Sequence, residues 1–344
     1  MNDLLLFQKF PALRKLAPWI SLGEFPTPVQ RLSNLGQQLG KENLWIKRDD
    51  LSGELYGGNK VRTLEFSLAE AQQKKAELIV TYSAIGSNWP LACVVYARSL
   101  QIPTDVIFMP FPMDTIKKKN LQAIERLANR VLTAKSLLSF PFLYYFHLRK
   151  ERKKQRVYQM PPAGVSPLTI LGWVNAVLEL QQQVASGCLP RPDGLFCPLG
   201  SGGTAAGLSL GLNLIGWPTK VFAVRVVDRI VANRFNVNRL LKKSVRLLQK
   251  AHPEKDLNKN WGENIHILHK FAGKGYSQPT PQAEKSIELL QAQEGLTLDS
   301  TYTGKTFAAL LALCQQAHFK HQNILFWHTL NSRSLDELSV HFNR

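Results

Sequence analysis

Residues 194–215 read GLFCPLGSGGTAAGLSLGLNLI, a short apolar run followed by a glycine-rich turn and a longer run rich in Ala and Leu. This order is typical of a β-strand that ends in a tight loop and enters an α-helix. The same alternation repeats along the chain, which predicts an α/β protein with a mostly parallel sheet and right-handed crossovers. In such sheets ligands bind beyond the carboxyl ends of the strands, so the loops after strands are the candidate binding loops.

Apolar runs of strand length begin at six positions, namely Leu44, Glu77, Thr104, Gly194, Lys220 and Asn323. Helical patterns lie between them at residues 64–75, 88–100, 167–183, 204–215 and 303–317. A chain of 344 residues is expected to form about two domains at roughly 150 residues each.

The composition excludes wholesale disorder, because 44% of the residues are hydrophobic and 20% are charged. Lys and Arg (43) exceed Asp and Glu (25), which gives a net charge of +18. The most basic region is residues 117–156, with KKK at 117–119 and RKERKKQR at 149–156. We interpret it as a solvated helix face and a mobile connection, with contact between the 149–156 cluster and a membrane or nucleic acid as the alternative.

No metal site or disulfide is predicted. The four cysteines, Cys93, Cys188, Cys197 and Cys314, lie in or beside apolar stretches, which indicates small buried hydrophobic residues. The histidine pairs 266/269 and 318/321 have helical spacing but no evident third ligand. The first residues lack a secretory pattern and no apolar run reaches the about 18 residues of a spanning helix, so we expect a soluble cytoplasmic protein.

The stretch GELYGGNKVRTLE at 53–65 places Lys60 where a glycine-rich loop enters a predicted helix. Glycines allow the backbone to approach a ligand closely, and the lysine then points into that space. The helix N-terminus and Arg62 are expected to lower the pKa of Lys60, and a neutral amine is what Schiff-base formation with an aldehyde requires.

Two further loops resemble phosphate-binding motifs. In the loop at 198–204, the backbone N–H groups of residues 201–204 can surround a phosphate at a helix N-terminus, although the glycine spacing is not that of a dinucleotide fingerprint. Residues 303–306 read TGKT, like the end of a Walker motif. The glycine that this motif requires is replaced by Asp299, whose carboxylate would repel phosphate, so an NTPase is excluded.

Several motifs occur in one order along residues 24–330: TPVQRL, WIKRDD, GGNKVRTLE, SAIGSNW, GSGGTAAGL, GYSQP and LDSTYTGKT. This set resembles the 1-aminocyclopropane-1-carboxylate deaminase / D-cysteine desulfhydrase family of fold-type II pyridoxal-phosphate enzymes. The resemblance implies a tryptophan synthase β-like fold of two three-layer domains with mostly parallel sheets. A small domain at 61–164 would be inserted into a large one at 1–60 plus 165–344, with the cofactor between them. It also implies a homodimer that acts on a small amino acid.

The resemblance further implies roles for matching residues. Lys60 would hold pyridoxal 5'-phosphate as a Schiff base, with Asn59 beside it, and Asn88 would meet the phenolic oxygen of the ring. Ser87 would bind the substrate carboxylate, and Tyr276 and Tyr302 would flank the substrate's Cα and leaving group. The phosphate would be bound by Ser201, Gly202, Gly203 and Thr204.

Thr303 bears on the reaction type. The ring-opening deaminases of the family carry Glu at this position, paired with the pyridine nitrogen, whereas a threonine can only share a hydrogen bond. A less protonated ring is a weaker electron sink, which suits β-elimination. The prediction is therefore a D-cysteine desulfhydrase-like lyase that gives pyruvate, ammonia and sulfide.

The chain also departs from the family pattern. Trp89 and Leu330-Asn331 stand where relatives carry smaller or glycine residues, and this bulk is expected to reshape the substrate pocket. Three alternatives follow: a 1-aminocyclopropane-1-carboxylate deaminase, a pseudoenzyme that binds pyridoxal phosphate without turnover, and a basic interaction protein that uses the 149–156 cluster.

Overall fold

The computed structural model describes residues 3–257, 260–335, 338 and 342 and contains two β-sheets. The larger sheet has the strand order β1-β2-β10-β7-β8-β9. Its strands are β1 (Val29–Arg31), β2 (Leu44–Lys47), β7 (Gly194–Leu199), β8 (Lys220–Arg225), β9 (Ile265–Leu268) and β10 (Ile324–Trp327). Within the described ranges only the β1–β2 pairing is antiparallel, so the prediction of mostly parallel sheets is confirmed.

The smaller sheet has the order β5-β4-β3-β6 and is parallel throughout. Its strands are β3 (Leu78–Ala84), β4 (Thr104–Met109), β5 (Arg130–Thr133) and β6 (Val157–Gln159). All four lie within the interval 61–164 predicted as an inserted domain, while the larger sheet takes strands from both flanking segments. The domain boundaries themselves stay a prediction.

Helices cover both faces of each sheet. They are α1 (Leu5–Lys9), α2 (Ser33–Gln38), α3 (Lys60–Gln73), α4 (Asn88–Ser99), α5 (Thr115–Leu127), α6 (Phe140–Arg152), α7 (Leu171–Ala185), α8 (Gly203–Leu214), α9 (Arg234–Ala251), α10 (Pro281–Glu294) and α11 (Thr303–Cys314). Successive side chains of a strand point to opposite faces. In β10, Leu325 and Trp327 therefore join the core with α7 and α8, whereas Ile324 and Phe326 join the core with α10 and α11.

All six predicted strands and all five predicted helices are confirmed. The sequence patterns missed β1, β5, β6 and β9, which are three or four residues long, the short helices α1 and α2, and the polar helices α9 and α10. Short strands carry too few alternations to stand out, and polar helices bury only a narrow stripe.

A buried charged network holds α3 in place. Arg62 on α3 donates to Asp49 (2.7 Å) and to Glu179 on α7 (2.9 Å), and Lys47 on β2 also contacts Glu179. All four side chains are buried, and the two positive charges balance the two negative ones. Since breaking such a pair leaves an uncompensated charge, at a cost of about 3–5 kcal/mol, the network fixes the position of α3.

Three details differ from the sequence-based expectations. Cys188 is exposed and Cys314 is partly exposed, because Cys188 follows the end of α7 and Cys314 is the last residue of α11. Lys117, expected on a solvated face, is buried. His266 lies in strand β9, so the 266/269 pair does not share a helical face.

Within the described part of the chain, no helix combines the length and apolar character that crossing a membrane requires.

Candidate active site

A cavity of about 280 Å³ lies where several loops and helix N-termini converge. The starts of α3, α4 and α8 contribute to its wall, together with the loops that follow β8 and β10 and the loop around Tyr276. Of the residues predicted to act in the site, all but Thr303 line this cavity: Asn59, Lys60, Ser87, Asn88, Ser201, Gly202, Gly203, Thr204, Tyr276 and Tyr302. The cavity thus brings together residues that are up to 243 positions apart, from Asn59 to Tyr302.

Lys60 is the first residue of α3 and lines the cavity. Removal from bulk water lowers the pKa of its amine to about 8. The expected contribution of Arg62 is wrong, because the charge of that guanidinium is paired with Asp49 and Glu179. Among the described residues nothing forms a hydrogen bond or ion pair with the amine. Lys60 is therefore available for covalent chemistry.

The 201–204 loop is shaped by two glycines. Gly202 has a left-handed backbone (φ +89°) and caps α8. A Cβ on Gly203 would approach the Val165 side chain to 2.8 Å, so the close packing there requires glycine. The Asn59 amide donates to Thr204 Oγ1 (3.3 Å), which joins this loop to the loop that carries Lys60. Free N–H groups at a helix N-terminus favour an anion, and a phosphate fits this chemistry.

Ser87 and Asn88 begin α4 after strand β3. The Asn120 amide donates to Asn88 Oδ1 (2.8 Å) and to the Gly86 carbonyl (3.0 Å). Since its oxygen is used, Asn88 can offer its amide N–H groups to a ligand in the cavity. The Ser87 hydroxyl contacts that of Ser83.

Tyr276 and Tyr302 form a pair in the cavity wall. The Tyr302 hydroxyl donates to the Tyr276 oxygen (3.0 Å), and burial raises the pKa of both phenols. Both are therefore protonated at neutral pH and can donate protons. Phe111, which follows β4 of the smaller sheet, packs edge-on against Tyr276, with ring centroids 5.8 Å apart.

Thr303 is fully buried and is not among the described residues that line the cavity. Its hydroxyl donates to the Asp299 carboxylate (2.6 Å), which also accepts from the backbone N–H groups of residues 301–303. Asp299 thereby accepts hydrogen bonds from backbone N–H groups at the start of α11 that have no partner within the helix. Asp299 also lines the cavity.

Comparison with known proteins shows which family shares this sequence and fold. The model of the family "pyridoxal-phosphate dependent enzyme" matches residues 20–329. A putative 1-aminocyclopropane-1-carboxylate deaminase of Pyrococcus horikoshii is 31% identical over 94% of this chain and 93% of its own. The D-cysteine desulfhydrase of Salmonella paratyphi C is 32% identical over 91% and 93%. The crystal structure of an ACC deaminase homologue superposes with a TM-score of 0.79 at 27% identity, over 99% of both chains.

The chain belongs to the family of pyridoxal-phosphate-dependent enzymes. Its relatives within this family include proteins named putative 1-aminocyclopropane-1-carboxylate deaminase and D-cysteine desulfhydrase. The predicted fold-type II class and the predicted cofactor are both confirmed.

The residues present fit pyridoxal phosphate. The cofactor needs an amine for its aldehyde, an anion site for its phosphate and a donor for its ring oxygen. The cavity offers the amine of Lys60, whose pKa is lowered to about 8, the N-terminus of α8 with its glycine cap, and the amide of Asn88. These groups face one space of suitable size.

Two positioning residues were missed by sequence reasoning. Lys305 is fully buried and donates to the carbonyls of Ala272 (2.8 Å) and Gly275 (3.0 Å), so it holds the loop that carries Tyr276. Its Walker-like sequence context suggested phosphate and concealed this role. Asp299 drew attention only as the residue that excludes the Walker motif.

Lys117 is the second cation beside this loop. Its amine donates to the Pro112 carbonyl (2.7 Å), contacts the Ser277 hydroxyl and lies 5.8 Å from the centre of the Tyr276 ring. Ser277 has a left-handed backbone (φ +63°), which is strained for a residue with a side chain. This contact joins α5, which packs beside the smaller sheet, to the loop that carries Tyr276.

Trp89 is the residue for which the family resemblance implied a smaller polar side chain. It is buried, lines the cavity, and its indole N–H donates to Thr81 Oγ1 (2.9 Å). Its ring lies against Gly164, where a Cβ would approach within 2.1 Å. Leu330 also lines the cavity, and Asn331 Oδ1 accepts from the Gly57 N–H (2.7 Å). The larger side chains at these positions therefore pack against, or bond to, neighbouring residues of the cavity wall.

Proposed function

We propose that this enzyme catalyses β-elimination on a small amino acid with a good leaving group, with D-cysteine as the test substrate. The overall reaction is cysteine plus water giving pyruvate, ammonia and hydrogen sulfide. Both a desulfhydrase and putative deaminases are among its relatives at similar identity, so the choice rests on the residues of the site.

The observation that carries the proposal is the pairing of Thr303 with Asp299. The threonine stands where the ring-opening deaminases have a carboxylate, and its hydroxyl proton is directed to Asp299. The Asp299 carboxylate accepts four hydrogen bonds from residues 301–303. The charge of Asp299 is thus committed to the start of α11. A ring nitrogen without a carboxylate partner gives a weaker electron sink, which favours prompt loss of a leaving group.

When bound, pyridoxal phosphate supplies the electron sink that makes the Cα proton of an amino acid removable. Lys60 would hold the cofactor, Asn59 would lie beside it, and Asn88 would donate to its ring oxygen. The N–H groups of residues 201–204 would bind its phosphate. Thr303 would act indirectly, since its hydroxyl donates to Asp299, which lines the cavity.

The protein's own groups would then move the protons. The Lys60 amine, whose pKa is lowered to about 8, can accept the Cα proton. The paired phenols of Tyr276 and Tyr302 remain protonated and can donate to the departing sulfur. Ser87 at the N-terminus of α4 would bind the substrate carboxylate, where the helix dipole favours a negative charge.

The wall around Trp89 supports a small substrate. The indole N–H is already used by Thr81, so Trp89 offers the cavity an apolar ring in place of a polar contact. Together with Leu330 it narrows the cavity. A three-carbon amino acid fits this requirement better than a branched or aromatic one.

The test is a parallel assay of D-cysteine, L-cysteine and 1-aminocyclopropane-1-carboxylate with the purified holoenzyme, measuring keto acid, ammonia and sulfide. We expect pyruvate, ammonia and sulfide in equal amounts from D-cysteine and no 2-oxobutanoate from the cyclopropane. Turnover of the cyclopropane alone would establish the deaminase and overturn the argument from Thr303. A borohydride-reducible cofactor with no turnover of any of the three would establish the pseudoenzyme.

A further inference from the structure

One face of helix α6, together with residues just before and after the helix, is exposed and carries apolar and basic side chains. Leu138 is 86% exposed, Phe142 67% and Phe146 61%, and Leu137 and Tyr145 are also more than half exposed. The spacing of three and four residues continues along α6 to exposed basic side chains. We call this set the α6 face: Leu137, Leu138, Phe142, Tyr145, Phe146, Arg149, Lys150 and Lys153.

The opposite side of α6 is firmly attached. His147 Nε2 lies 2.8 Å from the Asp105 carboxylate of β4, and both residues are buried. The rings of Phe140 and Tyr144 pack against Tyr82 of β3, at centroid distances of 5.3 and 4.9 Å. The α6 face is therefore presented on a rigid element.

The charge of the α6 face has one sign. Between residues 134 and 156 the single acidic residue is Glu151, which is buried and bonded to Lys154. Arg149, Lys150 and Lys153 make no ion pair with any residue in the described ranges. Three free cations thus follow directly on a patch of five exposed apolar side chains.

We propose that the α6 face docks the enzyme on an anionic lipid surface. A helix that exposes Leu and Phe beside Lys and Arg, and lies on a protein surface, matches the interface between acyl chains and acidic headgroups. The apolar end would enter the headgroup region, where aromatic rings are favoured, and the basic end would meet the phosphates.

Two other binding partners complement the α6 face less well than an anionic lipid surface does. A second copy of the chain, placed antiparallel across a two-fold axis on this face, would set the free cations of each copy against the apolar side chains of the other and bury them without a counter-charge. A nucleic acid would pair with the cations and could stack on the aromatic rings. However, the two aliphatic side chains at the N-terminal end, Leu137 and Leu138, would remain in water.

The test is co-sedimentation of the full-length holoenzyme with vesicles of phosphatidylcholine, with and without about one third phosphatidylserine. We expect binding to the anionic vesicles alone, weakened by salt. The double variant Phe142→Ser/Phe146→Ser should lower binding roughly tenfold or more, because it removes the apolar insertion. Arg149→Gln/Lys153→Gln should weaken binding and reduce its salt dependence.

A matched control is Ile230→Ser/Phe235→Ser, which changes two apolar residues elsewhere that are even more exposed, at 88% and 74%. It should bind anionic vesicles like the wild type. The proposal is overturned if the wild type ignores the vesicles, or if Phe142→Ser/Phe146→Ser binds them unchanged. It is also overturned if that variant changes the native mass by light scattering, which would identify a subunit interface, or if the face binds single-stranded RNA and no vesicles. Equal thermal midpoints of the variants show that the fold is retained.

Discussion

The two walls of the cavity are built differently. On the proposed function, one wall faces the cofactor: this cofactor wall consists of Lys60 and residues 201–204, at the starts of α3 and α8 directly after glycine-rich loops. The substrate wall consists of Trp89, Tyr276, Tyr302 and Leu330, which come from four separate segments. Local backbone geometry makes the first wall, whereas distant side chains such as Lys305 and Lys117 assemble the second. The first can therefore tolerate change in the second and still hold a cofactor.

The largest effect is expected at the anchor of the cofactor wall. Lys60→Ala removes the amine that the cofactor's aldehyde requires, so the borohydride-stable adduct should disappear completely in mass spectra. The fold should remain, because the Lys60 amine makes no bond within the described structure. An adduct that persists in the variant would show that another lysine is the anchor.

The glycine of the phosphate loop comes next. In Gly202→Leu a side chain is forced onto a left-handed backbone at the start of α8, which blocks the approach to the N–H groups. Loss of two charge-assisted hydrogen bonds corresponds to about a thousandfold lower cofactor affinity. Equilibrium titration of the cofactor-free protein measures it.

The matched control is Gly216→Leu. Gly216 is also left-handed (φ +71°), and a Cβ there meets nothing within 4 Å. It should suffer a similar backbone strain and keep its cofactor affinity. Equal affinities in the two variants would place the phosphate elsewhere.

The two walls also differ in how much of each could be predicted from the sequence. Lys60 and the 201–204 loop were recognisable because a strand, a glycine-rich turn and a helix follow one another along the chain. The roles of Asp299 and Lys305 were not, because they depend on contacts with the loop at 272–276 and on the first turn of α11. The same limit explains why Lys117 was assigned to a solvated face: the residue is buried, and its amine contacts Ser277, 160 residues away in the chain.

The substrate wall can be loosened through Lys305. In Lys305→Met the carbonyls of Ala272 and Gly275 lose their buried donor, and the loop that carries Tyr276 loses its support. A displacement of about 1 Å at a catalytic group can cost about a hundredfold in turnover. We expect that loss in kcat with cofactor content unchanged, measured by steady-state kinetics and the absorbance of bound cofactor.

Lys285→Met, at an exposed position on α10, is the control and should be neutral. Loss of the cofactor from Lys305→Met would contradict the independence of the two walls.

The smallest effect concerns the pH dependence of cofactor attachment. Burial lowers the pKa of Lys60 to about 8, so about one tenth of the amine is neutral at pH 7 and about nine tenths at pH 9. Because the neutral amine is the reactive form, the rate of covalent attachment to the cofactor-free protein should rise about tenfold over this range and then level off. Stopped-flow absorbance after mixing with pyridoxal phosphate measures this rate. A lysine in bulk water, with an ordinary pKa near 10.5, would instead give a rate that still rises steeply above pH 9. A plateau near pH 9 would therefore support a lowered pKa of the Lys60 amine, and its persistence in Lys305→Met would show that this lowering does not depend on the substrate wall.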